Sequence, residues 1–161
     1  MRFFEDSKYY SLKKSTYINL RWIGIIGQLI SVYLVHFYFG FKFNFFLTNL
    51  AIFFGVLSNL YLIFIYKKTQ LSDRLALLFL LFDIIQLTVL IYLTGGAKNP
   101  FIIFIIIPSI FASTNLGLKT NLFIVLITCI MIIFLTFYAS ELPYPLGNHF
   151  HISDYIYYSI P

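Results

Sequence analysis

Apolar side chains fill five long runs of this chain, Trp22 to Phe39, Phe43 to Tyr66, Leu75 to Thr94, Phe101 to Leu118 and Leu122 to Ala139, and polar residues collect between them. Each run is close to the roughly 20 residues a helix needs to cross a bilayer. In hydrocarbon every backbone N–H and C=O must be satisfied within its own segment, so the runs predict helices. The predicted fold class is all-α, a polytopic transmembrane helical bundle with spans near 22–39, 43–66, 75–94, 101–118 and 122–139. After the fifth run, Pro143, Pro145 and Gly147 break the pattern, and Tyr155 to Ile160 opens another aromatic and apolar stretch. The expectation is a sixth helix just beyond the chain end, with residues 1–161 forming one membrane domain.

Composition agrees with a membrane environment. With 60% hydrophobic, 21% aromatic and 11% charged residues, and a mean hydropathy of +0.88, a soluble fold of 161 residues could not hide its apolar surface. Charge then orients the spans. Arg2, Lys8, Lys13, Lys14 and Arg21 precede the first run, Lys67, Lys68 and Arg74 separate the second and third, and Lys119 separates the fourth and fifth. The opposite loops hold Lys42 and Lys98. This positive-inside bias predicts a cytoplasmic N-terminus. The first sixteen residues are too polar and aromatic for a signal peptide, so the first helix should be retained. The net charge of +5 sits on the inner flanks and points to anionic lipid heads rather than nucleic acid.

One polar island departs from this pattern. In Gly95-Gly96-Ala97-Lys98-Asn99-Pro100-Phe101, the paired glycines fit a helix C-terminus, Asn99 an N-cap, and Pro100 the first helical position, where a missing N–H is harmless. A helix should end and another begin within about five residues, exposing N–H donors from Phe101 onward beside an aromatic ring. The plain reading is a tight turn; the functional reading is a donor-rich, aromatic-lined notch at the outer interface.

Other polar groups fall inside the runs. Asp83, Gln86, Leu90 and Thr94 share a helical stripe leading to the Gly95 turn. Asp83 is either structural, ion-paired with Arg21 or a neutral hydrogen-bonded acid, or part of a signal relay or a quinone-linked proton path. Pro108 removes an N–H and should free the Phe104 carbonyl, placing a hinge in the fourth helix. His36 reads as an interfacial aromatic, and Cys129 as a small buried packing residue. His149 and His151 read as a solvated loop, not as metal ligands or a phospho-acceptor.

Leu20-Arg21-Trp22-Ile23-Gly24-Ile25-Ile26-Gly27-Gln28, Asp83-Ile84-Ile85-Gln86-Leu87, Tyr92 through Phe101, and Pro108 together resemble the membrane domain of the RegB/PrrB family of redox-sensing histidine kinases. The likeness covers nearly the whole chain. It implies six transmembrane helices ahead of a cytoplasmic kinase, in a dimer signalling to a response regulator in the bacterial inner membrane. It also implies that ubiquinone is sensed at the GGxxNPF turn, here Gly95, Gly96, Asn99, Pro100 and Phe101. The resemblance implies ATP-to-histidine phosphotransfer, but the kinase core, with its phospho-acceptor and ATP-binding segments, is absent from these 161 residues, so whether the chain belongs to an enzyme is left open. A quinone-binding subunit of a membrane enzyme, or a membrane anchor without a ligand, remain the alternatives.

Overall fold

The computed structural model describes residues 12–38 and 40–138. It is an all-α bundle. Helix α1 spans Lys14–Tyr33 and continues as a π-helical turn over Leu34–Tyr38; α2 spans Phe45–Phe64 and α3 Asp73–Leu93. A 3-10 turn at Gly96–Lys98 leads to a 3-10 segment, Pro100–Ile106, that runs into α4, Ile107–Asn115. Helix α5 spans Leu118–Phe137. A two-residue antiparallel ladder joins β1 (Leu12–Lys13) to β2 (Gln70–Leu71), tying the start of α1 to the α2–α3 connection.

Four segments, Lys14–Tyr38, Phe45–Phe64, Asp73–Leu93 and Leu118–Phe137, are long and apolar enough to cross a membrane, and Pro100–Asn115 is shorter. The shorter segment regains reach through its winding. A 3-10 helix rises about 2.0 Å per residue against 1.5 Å for an α-helix, so the combined segment extends about 27 Å, close to the hydrocarbon thickness. Pro108 accounts for the change of winding. It cannot donate to the Phe104 carbonyl, and that carbonyl accepts instead from the Ile107 N–H in an i to i+3 bond. The carbonyl predicted to be free is therefore satisfied, and Pro108 sits in the first turn of α4.

The boundaries differ from the hydropathy runs where amphipathic turns precede them. Helix α1 begins at Lys14 rather than Trp22, because Tyr17, Arg21 and Ile25 recur every fourth residue and are all buried. Arg21 thus lies two turns inside a helix instead of ahead of it. The fourth segment ends at Asn115 rather than Leu118, where Leu116 and Gly117 are extended, and α5 begins at Leu118 rather than Leu122. Lys119 belongs to the first turn of α5 rather than to a loop.

Helix α3 is the centre of the bundle. Ala76, Phe79, Leu80, Ile84, Leu90 and Ile91 are buried around its circumference, against α2, α4 and α5. Helices α1 and α5 lie outside and turn apolar residues such as Ile23, Ile26, Ile30, Leu122, Leu126 and Ile133 outward. A broad apolar exterior is what a lipid solvent accepts and water does not. The chain is a multi-pass membrane protein.

Candidate functional site

The Gly95 turn is held by one side chain. Gly95 (φ 122°) and Gly96 (φ 59°) adopt backbone conformations that a residue with a Cβ resists, and they reverse the chain at the end of α3. The Asn99 amide then bridges both sides of the reversal. Its Nδ2 donates to the Thr94 hydroxyl at 2.7 Å and the Thr94 carbonyl at 3.2 Å, while its Oδ1 accepts from the Phe101 N–H at 2.9 Å. Asn99 is buried, and Pro100 follows at the first position of the 3-10 segment.

This geometry changes the predicted notch. The Phe101 N–H is taken by Asn99 Oδ1, and the Ile102 N–H donates to the Asn99 carbonyl at 3.0 Å. The Asn99 cap takes the first of these N–H groups, and the 3-10 winding, which closes its first backbone bond one residue sooner than an α-helix does, takes the second, so both groups expected to be free are used within the turn. The predicted aromatic is in place. Phe101 is partly exposed and stacks on Phe104, with centroids 5.7 Å apart and planes at 22°. Lys98 points outward into the surroundings.

A second polar cluster lies deeper, at the middle of α3. The Asp83 carboxylate accepts from Arg21 Nε at 3.0 Å and Nη2 at 2.7 Å, and from the Tyr17 hydroxyl at 2.6 Å. Arg21 Nη2 also donates to Ser58 Oγ at 2.9 Å, so one guanidinium joins α1, α2 and α3. Its plane lies 5.5 Å from the ring centroids of both Tyr17 and Phe79. With side chains only 5% and 18% exposed, Arg21 and Asp83 are paired and hydrogen-bonded as buried charge must be in hydrocarbon, while Arg21 Nη1 is buried without a hydrogen-bond partner among the described residues. One turn further along α3, Gln86 Nε2 donates to Gln28 Oε1 at 2.9 Å, again reaching α1.

Asp83 and Arg21 are brought together, and Gln86 joins the same α1–α3 seam; Thr94 meets Asn99 at the turn. The stripe along α3 thus consists of two joints with Leu90 buried between them. Tyr17 and Ser58 went unnoticed in the sequence, although Tyr17 and Arg21 are four residues apart on one helical face, and Gln28 was named there only within the motif that opens the first span, without a partner. The buried Ser109–Thr128 hydroxyl contact at 2.6 Å, between α4 and α5, gave no signal either. His36 stacks on Phe45 with centroids 4.4 Å apart, and its Nδ1 lies 3.2 Å from the Phe41 carbonyl. Cys129 corrects the reading of a buried thiol: it is exposed on α5. An apolar neighbourhood in sequence does not separate a core-facing from a lipid-facing position. His149 and His151 lie outside the described residues.

Residues 5–157 match the family of the PilS-like transmembrane domain, a six-span family. The chain belongs to this family. The PilS-like domain is also similar to a protein of Cereibacter sphaeroides named sensor histidine kinase RegB, with 34% identity over 125 residues, covering 77% of this chain and 26% of that protein. The chain therefore spans about a quarter of its curated relative. No solved structure matches the PilS-like domain described here.

Proposed function

We propose that this PilS-like domain is the membrane input module of a sensor histidine kinase and reports the redox state of the quinone pool at the Gly95–Phe101 turn. Kinship with a protein named as a sensor histidine kinase supports the first part. One observation carries the second: the Asn99 amide holds the turn closed beside an exposed pair of stacked rings. Ubiquinone is a planar ring with two carbonyl acceptors on a lipid tail, and the Phe101–Phe104 stack offers its ring an apolar platform reachable from the bilayer.

Because the amides of Phe101 and Ile102 are occupied, the donor offered to a quinone carbonyl is Asn99 Nδ2, now shared with Thr94. A carbonyl that captured this N–H would release the end of α3 from the 3-10 segment. Quinol, whose hydroxyls can donate to the unused lone pair of Asn99 Oδ1, leaves the Asn99–Thr94 bonds in place, so only the oxidised form competes for them. A ligand shifts a two-state element only through such a difference in affinity, and about 1.4 kcal/mol gives tenfold discrimination. In this reading the N-terminus is cytoplasmic, the turn faces the outer side of the bacterial inner membrane, and the domain works as a homodimer. A kinase portion then carries the signal to a response regulator.

Titration of a short-chain ubiquinone against the domain in nanodiscs, following ligand retention, tests the reading. Phe101→Ala should weaken binding about tenfold through loss of the platform. Asn99→Ser keeps an N-cap oxygen but withdraws the amide, and should weaken the oxidised form more than the reduced. Unchanged affinity in Phe101→Ala would remove the stacking role, and the absence of saturable binding to wild type would leave the turn purely structural.

A further inference from the structure

At the end of the bundle away from the Gly95 turn, a cleft of about 240 Å³ is lined by Lys14, Ser15, Ile18, Lys67, Lys68 and Thr69. We propose that it binds the phosphate headgroup of an anionic phospholipid. Among the described residues its lining supplies three ammonium groups and two hydroxyls and no carboxylate, which is the donor set for a phosphate. The sixth lining residue, Ile18, is apolar, and offers a wall to the first carbons of a lipid rather than to a free ion.

The cleft is built rather than a chance gathering of surface lysines. The β1–β2 ladder pairs Leu12 with Leu71 and Lys13 with Gln70, and the Lys14 N–H donates to the Thr69 carbonyl at 3.0 Å, so the Lys67–Thr69 connection is fastened to the start of α1. Lys14 is fastened too. Its ammonium donates to the carbonyls of Ile63 and Tyr66 at the end of α2, which leaves a third N–H and the full charge. Helix α1 begins here with no side-chain cap and no acidic residue in its first turn, so the positive end of its dipole adds to the field. Lys67 and Lys68 are exposed and carry no structural bond that would compete.

Position selects the source of the phosphate. The cleft lies where the membrane-crossing segments Lys14–Tyr38 and Phe45–Phe64 begin and end, the level at which lipid headgroups lie. Each lysine beside the headgroup contributes about fivefold to binding an anionic lipid, an attraction that screening cuts off within a Debye length. This site does not depend on the quinone reading or on which leaflet the cleft faces.

The test uses the whole chain in phosphatidylcholine nanodiscs, titrated with phosphatidylglycerol, with bound lipid counted by native mass spectrometry. Lys67→Gln combined with Lys68→Gln should weaken phosphatidylglycerol retention about thirtyfold. Arg74→Gln combined with Lys119→Gln removes the same charge from the same end of the bundle but outside the cleft, and should change retention less than threefold. Melting in phosphatidylcholine alone checks that both variants are folded. Equal losses in the two variants would reduce the effect to general attraction by a basic rim and overturn the site. Displacement of the lipid by millimolar inorganic phosphate would make the ligand a free ion and overturn the lipid assignment.

Discussion

The bundle has two polar joints, and they are built in opposite ways. At the deeper joint, Tyr17, Arg21, Ser58 and Asp83 come from three helices, with the ion-paired residues 62 positions apart in sequence. At the turn, Thr94, Asn99 and Phe101 lie within five residues of each other in sequence on donor–acceptor pairs. The deeper joint therefore fixes which helices are neighbours, whereas the turn fixes only how two consecutive segments meet. The deeper joint is also closed to exchange, because a charge that leaves its partner in hydrocarbon has no water to replace it. Asn99 sits next to exposed rings and can trade one neutral hydrogen bond for another at small net change. A ligand-responsive element belongs at the second kind of joint, and a fixed pivot at the first.

That contrast is open to measurement. Asp83→Leu leaves the Arg21 guanidinium buried and unpaired, and should lower stability in detergent by about 3–5 kcal/mol, read as the unfolding midpoint. Adding Arg21→Met should restore most of the loss. If the double variant is as unstable as the sum of the singles, the pair is not the pivot. Asn99→Ala should be milder, about 1 kcal/mol, and confined to the turn. Hydrogen exchange should quicken at Phe101 while the seam between α1 and α3 keeps its protection. Spread of the faster exchange to that seam would merge the two joints into one cooperative unit. The smallest effect is expected for Gln28 and Gln86, whose double-mutant coupling should be about 0.6 kcal/mol, typical of a neutral interhelical bond in a bilayer. A coupling near that of the ion pair would extend the pivot one turn along α3, to Gln86.

Much of this was legible in the sequence, and the parts that were not have a common cause. The existence of the helices followed from uninterrupted apolar runs. The meeting of Arg21 with Asp83 was foreseeable because few other partners exist for a carboxylate at that depth. The helix starts were misplaced at Lys14 and Leu118 because a window of average hydropathy marks where the oily part begins, whereas hydrogen bonding begins earlier. The outward face of Cys129 was illegible because lipid and protein interior demand the same chemistry. Residue types identified Asn99 as a cap, but its second contact, to Thr94, depends on the dihedrals of Gly95 and Gly96. The occupied Ile102 amide depends likewise on the 3-10 winding of Pro100–Ile106, which no residue type at that position announces.

That winding gives the segment between the turn and α4 an adjustable length. Rewinding the seven residues of Pro100–Ile106 from three to 3.6 residues per turn would shorten the segment by about 3.5 Å and rotate one end against the other by about 140°. Helices α1, α2, α3 and α5, already at the α pitch, have no such travel. A strut of fixed ends and variable pitch converts a local change at its tip into a screw motion along its axis, and this is the longest of the described segments wound at other than the α pitch.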